Sequence, residues 1–384
     1  MKDVIECLAL REIPTNAGYI TIFTCLTLSA TLSIILATML GVRFYRGTAI
    51  HQNVKILIYL LLGYGITFNL MFDMTFWPAQ RNSCESIDAL LLLRHKLFYK
   101  TLKSFGRALR HVHVDFGIWT VFFRILLIFH MYHLARSDTP CSLLFYTLEC
   151  SWSFYPLTTC IIGFILIQAA FAAERITATC RLGRYERRGK YLGPIMAAAV
   201  LILSILCVRW GLDTTDPNEL QYQCAGIPVS TKERMISIYS VMFVIDVSSV
   251  AAFAYCFYYN KKKLHSGRFQ LDLRYEIQEN LKVIRILLPV VVAHFLFFGF
   301  FIAGSIFIRQ IRLRMSAKAY GIAVLGIYII PHYILVMCAL IYGILRQESR
   351  ANSKFRKAIA QRPAAKQEGE TYFDSLRKQW SEKL

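Results

Sequence analysis

Long runs of apolar residues, separated by short polar segments, dominate the pattern of this sequence. Seven of these runs are long enough to cross a lipid bilayer as a helix, which takes about 20 residues. They are Gly18–Val42, Val54–Phe76, Phe145–Ala173, Tyr191–Val208, Met235–Tyr258, Val283–Ile308 and Ala319–Leu345. A shorter run, Phe116–Met131, is an ambiguous eighth. The pattern predicts an all-α membrane protein that folds as a bundle of seven transmembrane helices.

The composition supports a protein of the lipid bilayer. Hydrophobic residues make up 56% of the 384 residues, and the mean hydropathy is +0.44. A soluble protein does not need so many helices that are apolar all round. We therefore expect an extracellular amino-terminal segment over residues 1–17, one membrane domain over 18–345 and a cytoplasmic tail over 346–384.

The net charge is +20, but the positions of the basic residues argue against nucleic-acid binding. Lys and Arg cluster beside the ends of membrane spans on the cytoplasmic side. Such clusters follow the first, third and fifth runs: Arg43 and Arg46, Arg181 to Lys190, and Lys261 to Arg274. They predict a multi-pass plasma-membrane protein whose amino terminus is outside and whose carboxyl terminus is cytoplasmic. One cluster falls on the outer side against this rule: Arg309, Arg312, Arg314 and Lys318.

The third run carries a cysteine near one end and an acid–arginine pair near the other. Cys150 precedes Arg175 by 25 residues, which corresponds to about 38 Å of helix, close to a bilayer with its headgroups. This spacing predicts Cys150 at the outer end and Glu174 with Arg175 at the inner end. Rhodopsin-like receptors place a disulfide cysteine and an acid–arginine switch with the same separation. An ordinary interfacial arginine that reaches the headgroups is the alternative interpretation.

Five cysteines fall on the predicted outer, oxidising side, where disulfides persist. They are Cys7, Cys84, Cys141, Cys150 and Cys224. We predict a bridge between Cys150 and Cys224, with Cys141 as the other candidate partner and unpaired thiols as the remaining alternative. No Cys or His pair has the close spacing of a structural zinc site, so the sequence predicts no metal and implies no cofactor.

Four short motifs stand at the predicted inner ends of the helices. They are His51-Gln52-Asn53, the ERITAT stretch from Glu174 to Thr179, Tyr185-Glu186-Arg187-Arg188, and the segment from Leu271 to Arg285. In this order they resemble nematode serpentine chemoreceptors of the Sra/Srb/Sre superfamily, with class epsilon (Sre) the closest. The resemblance implies seven helices, a small-molecule site on the outer side and coupling to a heterotrimeric G protein. It also implies sensory perception, with sensory-neuron cilia as a location.

The resemblance also implies which residues couple to the G protein. They are Glu174, Arg175, Arg274, Tyr275, Glu279 and Asn280. Glu276 departs from the family pattern, which has Gln at this position. We further expect Asn280 to cap the sixth helix, and Arg274 to face solvent. In the last run, Pro331 removes a backbone donor and is expected to act as a hinge.

The segment between the second and third spans departs from the family pattern. It contains a strongly basic amphipathic stretch and the ambiguous run Phe116–Met131. An additional crossing would place either Arg175 outside or the amino terminus inside, against the distribution of charge. We interpret residues 77–114 as an atypical insertion that splits the second helix, either genuine or introduced by an error in the gene model. A genuine basic stretch is expected to lie on the membrane surface.

Candidate ligand contacts come from polar and aromatic residues inside or near the spans. Ionisable residues within a span are functional candidates, which points to Asp246 and His294. Trp152 and Tyr155 stand near the outer end of the third span, although core packing or lipid contact is the competing interpretation for these aromatics. A transporter is the alternative function, but no inverted repeat is evident. An enzyme is not favoured, because no nucleophile–base pair or metal site has workable spacing.

Overall fold

The computed structural model describes residues 17–47, 52–76, 145–181, 191–221, 228–265 and 271–360, together with Asp374. Within these residues the protein is helical, apart from a pair of two-residue strands. The first six helices are α1 Ala17–Gly47, α2 Gln52–Phe76, α3 Thr147–Cys180, α4 Leu192–Leu212, α5 Lys232–His265 and α6 Leu271–Ile311. Two 3₁₀ turns, Val229–Thr231 and Arg312–Arg314, lie before α5 and after α6.

The last predicted span is broken into two helices, α7 Ala317–Ile327 and α8 Ile330–Ala360. Tyr328 has φ −70° and ψ 57°, and the Ile329 amide donates to the Ile327 carbonyl at 2.6 Å. These values are those of an inverse γ-turn. Pro331 follows in the first turn of α8, where a missing backbone N–H is tolerated. The helix therefore bends just before Pro331, whose role as a moving hinge stays a prediction.

Six stretches in the described residues are long and apolar enough to cross a membrane. They are Thr24–Gly41, Phe154–Cys180, Leu192–Leu212, Lys232–His265, Leu273–Ile311 and Ala319–Gln347. Helix α2, over the predicted second span, is not in this set but packs against both α1 and α3. The helical bundle confirms the predicted fold class.

Helix α3 is the central helix of the bundle. It packs against α2, α4, α5 and α6. In its most apolar stretch 72% of the residues are buried, compared with 28% in that of α4. It carries Cys150 near its beginning and Arg175 near its end. We call the corresponding ends of the bundle the Cys150 face and the Arg175 face. A residue on α3 can thus contact several other helices at either face.

A short β-ribbon lies at the Cys150 face, next to the beginning of α3. Strand β1, Phe145–Tyr146, pairs antiparallel with β2, Leu220–Gln221. The Thr147 amide also donates to the Glu219 carbonyl at 2.9 Å. These backbone bonds hold the segment between α4 and α5 against the beginning of α3.

Small and polar residues let the helices approach closely, as is common in membrane bundles. The Tyr64 hydroxyl on α2 is 3.0 Å from the Ser204 hydroxyl on α4. A Cβ atom on Gly163 of α3 would lie only 2.5 Å from the Tyr64 ring. The absence of a side chain at Gly163 therefore makes room for the tyrosine that links α2 to α4.

Several predictions concern residues outside the described part of the chain. They include the insertion over 77–114, the run Phe116–Met131, and Cys7, Cys84, Cys141 and Cys224. The chain divides into two compact units, residues 1–338 and 339–384. The predicted tail boundary at residue 346 stays a prediction, since α8 continues through it to Ala360.

Candidate functional site

A buried arginine links α3 to α6 at the Arg175 face. Its guanidinium donates from Nε and Nη2 to the two carboxylate oxygens of Glu174, and from Nη1 to the Asn280 side-chain oxygen at 2.8 Å. Arg175 is only 2% exposed and Glu174 is fully buried. Since arginine cannot shed its charge, its burial requires such partners. The predicted pair is thus satisfied within the protein by one residue of its own helix and one of α6.

One turn further along α3, a single hydroxyl joins two amide side chains. Thr179 Oγ1 accepts hydrogen bonds from Nδ2 of Asn260 on α5 and from Nδ2 of Asn280 on α6, both at 2.9 Å. Asn260 Nδ2 also donates to the Cys256 carbonyl at 2.7 Å. We call Glu174, Arg175, Thr179, Asn260 and Asn280 the Arg175 network. It connects the ends of three helices.

The other predicted coupling residues of α6 lie away from this network. Arg274, as expected, and Tyr275 are exposed, and Glu279 is half-buried. Asn280 is inside α6, which begins nine residues earlier at Leu271, so its expected role as a helix cap is wrong. Its amide instead bonds to α3 from within a continuous helix, where its own backbone needs no cap.

A second polar cluster lies deeper in the bundle, where α5, α6 and α8 meet. His294 Nε2 is 3.6 Å from the Asp246 carboxylate, and His294 Nδ1 is 3.0 Å from the Tyr333 hydroxyl. All three side chains are buried. Neither Asp246 oxygen has a hydrogen-bond partner in the described residues. The structure thus brings two predicted ligand residues together and adds Tyr333.

The two predicted aromatic residues are not part of this cluster. Tyr155 is half-buried and stacks on Phe154 with ring centroids 5.2 Å apart. Trp152 lies in α3, but its side chain is outside the described residues. Both stay predictions as ligand contacts.

Cys150 is disulfide-bonded at the Cys150 face. Its predicted partner, Cys224, is outside the described residues, so the pairing itself stays a prediction. The β-ribbon brings Gln221 beside Phe145, five residues before Cys150. Cys224 follows Gln221 by three residues, which keeps it within reach of α3.

A cavity opens between α5, α6 and α7 towards the Cys150 face. It has about 400 Å³ of empty space, including its mouth. Its lining is largely aromatic and aliphatic, with one arginine: Tyr239, Phe301, Ser305, Ile308, Arg309, Tyr320, Val324, Ile327 and Tyr328. Of the predicted ligand residues, Asp246, Tyr155 and His294 do not line it. In the described residues, no group of three His, Cys, Asp or Glu side chains is placed to hold a metal ion.

Comparison with known families identifies the chain. A sequence profile described as "Serpentine type 7TM GPCR receptor class ab chemoreceptor" matches residues 93–381, more than half of its length. The chain belongs to this family. It is thus a multi-pass membrane protein of the G-protein-coupled-receptor type, in a family of chemoreceptors and not of enzymes.

Individual serpentine receptors of Caenorhabditis elegans are similar over different portions of the chain. Serpentine receptor class alpha-39 is 24% identical, over 54% of this chain and 56% of that receptor. Serpentine receptor class alpha/beta-14 is 22% identical, over 65% of this chain and 74% of that receptor. Serpentine receptor class beta-3 is 20% identical, over 83% of this chain and 95% of that receptor. The chain thus matches little more than half the length of the first of these relatives.

These matches confirm a nematode serpentine chemoreceptor, whereas the narrower class epsilon stays a prediction. The family match begins at residue 93, inside the predicted insertion over 77–114, so it covers neither α1 nor α2. The gene-model error therefore remains a hypothesis about this serpentine receptor.

The first sequence motif of the receptor has a structural role at the Arg175 face. Asn53 is fully buried in the first turn of α2, and its side-chain oxygen accepts from the Gly193 amide on α4 at 3.1 Å. A Cβ atom on Gly193 would lie 2.7 Å from Asn53 Cα. The asparagine and the glycine together set the contact between α2 and α4.

Sequence reasoning missed Thr179, Asn260 and Tyr333. Thr179 stands four residues after Arg175, on the same face of α3, so its position in the ERITAT stretch was an available signal. Asn260 is one amide in an aromatic and basic run, and Tyr333 is one of many tyrosines. Neither sequence pattern distinguishes a buried, hydrogen-bonded residue from one at the membrane interface.

Proposed function

We propose that this serpentine receptor binds a small molecule at the Cys150 face and activates a heterotrimeric G protein at the Arg175 face. The observation that carries the proposal is the Arg175 network, in which the ends of α3, α5 and α6 share one set of hydrogen bonds. The ends of these helices are those that the family resemblance assigns to coupling. The receptor itself performs no chemistry.

The proposed mechanism is an exchange of hydrogen-bond partners. In the resting receptor, Arg175 Nη1 is bonded to Asn280 on α6. Separation of α6 from α3 breaks this bond and frees part of the guanidinium fork for a helix of the partner. Because ligand and G protein each favour the separated state, each increases the affinity for the other.

The proposed topology places the Arg175 face in the cytoplasm of a sensory neuron, with the cilia as the site of reception. It follows the basic segments beside α1, α3 and α5, in agreement with the positive-inside rule. Such a surface also attracts anionic lipids and acidic partner proteins.

A native thiol offers a direct test of this topology. Cys180 is free and exposed at the end of α3, five residues beyond Arg175. A membrane-impermeant maleimide is expected to label it in permeabilised but not in intact cells. Cys180→Ser identifies the signal that belongs to this residue. Labelling of Cys180 in intact cells would overturn the topology.

The coupling role is tested by co-expressing the receptor with a panel of Gα, Gβ and Gγ subunits. Basal GTP exchange is compared between the natural receptor and Arg175→Ala at equal surface levels. Arg181→Ala is the matched control, because Arg181 is exposed at the same helix end. We expect loss of exchange for Arg175→Ala only. Undiminished exchange in that variant would contradict the assigned switch.

A further inference from the structure

One arginine of the cavity has no counter-charge among the described residues. Arg309, near the end of α6, is in none of the ion pairs or hydrogen bonds of the described residues. It is nevertheless only partly exposed and lines the cavity. It also belongs to the basic cluster that the proposed topology places outside the cell, against the usual distribution of charge.

A buried hydroxyl in the same cavity also has no hydrogen-bond partner among the described residues. Tyr239 on α5 is 1% exposed and lines the cavity, and its hydroxyl makes no hydrogen bond in the described residues. Burial of an unpaired hydroxyl is unfavourable. Arg309 is close enough to Tyr239 and Tyr328 to interact with both electrostatically. The unsatisfied Tyr239 hydroxyl and the unpaired Arg309 guanidinium of the described residues therefore line the same cavity.

The remaining walls are suited to an apolar body. Phe301, Ile308 and Val324 contribute apolar surface. Arg312 is already engaged, with its guanidinium carbon 5.1 Å from the centre of the Tyr320 ring. This contact supports the ring that lines the cavity, and Arg309 is the cation among the described lining residues.

We infer that this cavity binds a small organic anion, with its acidic head between Arg309 and the Tyr239 hydroxyl and its apolar body against Phe301. Arginine is well suited to carboxylate and other oxyanion heads, because it presents fixed, paired donors. The enclosed part of the cavity has room for about three water molecules. The anion is therefore of the size of a short-chain carboxylic acid. This inference rests on the proposed function, since it names the class of the receptor's ligand.

The test uses the full receptor in discs of zwitterionic lipid, with butyrate as the probe. Binding is measured by saturation-transfer NMR, and butan-1-ol and butylammonium serve as neutral and cationic probes of similar size. We expect butyrate to bind at least about tenfold more tightly than either, because only an anion gains charge-assisted hydrogen bonds. Equal binding of the three probes would overturn the inference.

Two substitutions locate the site. Arg309→Gln is expected to weaken butyrate binding about tenfold or more, and Tyr239→Phe by several-fold, through loss of one hydrogen bond. The control is Arg314→Gln, which makes the same change of charge on an exposed residue that does not line the cavity. If Arg309→Gln does not fold, Tyr239→Phe still decides, since it keeps the ring. Unchanged affinity in the folded variants would contradict the site.

A last arm distinguishes a soluble anion from a lipid headgroup. The butyrate titration is repeated in discs that contain phosphatidylglycerol. Undiminished binding supports a soluble ligand, whereas competitive loss that requires Arg309 would assign the site to lipid and overturn the inference. No G protein is present, so a negative result leaves the Arg175→Ala test of the proposed function intact.

Discussion

Asp246 on α5 places its carboxylate oxygen Oδ1 3.6 Å from the ring nitrogen Nε2 of His294 on α6, and both side chains are fully buried. His294 is also stacked on Phe298, with ring centroids 4.2 Å apart, and its other nitrogen faces Tyr333. The histidine therefore has a polar neighbour on each side. Neither carboxylate oxygen of Asp246 makes a hydrogen bond in the described residues.

This pair is one layer of a regular seam between the two helices. Along α5 the buried seam residues are Tyr239, Asp246, Phe253 and Asn260, and along α6 they are Asn280, Leu287, His294 and Phe301. Each series has an interval of seven residues, which keeps one stripe of a helix facing its partner. The Tyr239 and Phe301 rings meet 5.9 Å apart beside the cavity. The seam therefore extends from the cavity to the Arg175 network.

The asymmetry of the Asp246–His294 pair predicts unequal effects of removing its members. His294→Leu leaves a carboxylate alone in the seam, and we expect it to destabilise the receptor by about 3 kcal/mol or more. Asp246→Leu leaves a histidine that still contacts the Tyr333 hydroxyl, so the loss of folding stability should be clearly smaller. The double variant should recover part of the larger loss.

Thermal unfolding of the single and double variants in detergent measures this difference. Asp246→Leu should melt closer to the natural receptor than His294→Leu does. Equal losses that add in the double variant would show that the two side chains do not depend on each other.

The bond between Arg175 and Asn280 predicts opposite signalling effects for two substitutions at one position. Asn280→Ala removes the α6 partner of the guanidinium, and is expected to raise basal GTP exchange up to about tenfold. Asn280→Asp supplies a carboxylate to the arginine and should lower it. Gln278→Ala is the control, because Gln278 is exposed two residues away. A change in the same direction for both variants would contradict a lock between α3 and α6.

The helices could be predicted from the sequence, because each apolar run makes its backbone hydrogen bonds within its own helix when it crosses the bilayer. The sequence also predicted Glu174, Arg175 and Asn280 as members of one site through motif order. It could not predict that Asn280 lies inside a helix, since the apolar run begins well after α6 does. The cavity was missed for another reason. Arg309 and Tyr239 are 70 residues apart, and only the packing of α5 against α6 brings them together.

Two glycines allow a stability prediction with a built-in control. Gly193→Ala places a methyl group 2.7 Å from Asn53 Cα and 2.9 Å from its side-chain oxygen. We expect a loss of about 1–3 kcal/mol, because the α2–α4 contact must open. Gly63→Ala meets nothing within 4 Å inside α2, and should be neutral or stabilising by up to about 1 kcal/mol. The melting temperature and the surface level should therefore fall for Gly193→Ala and stay unchanged or rise for Gly63→Ala.

The disulfide of Cys150 yields the last prediction, which concerns its partner. The Thr147 amide and the Thr147 hydroxyl both donate to the Glu219 carbonyl and hold the α4–α5 segment against α3, so we expect Cys224 to close the bridge. Peptide mapping without reductant should recover Cys150 and Cys224 in one linked fragment. A bridge across this loop is worth roughly 2–5 kcal/mol.

Cysteine variants test the same pairing by stability. Cys150→Ser, Cys224→Ser and the double variant should then melt at the same reduced temperature, because each removes the same covalent link. Cys141→Ser should leave the melting temperature unchanged. A free Cys224 thiol, or a fragment that joins Cys150 to Cys141, would assign the bridge to the other cysteine and release the α4–α5 segment from this constraint.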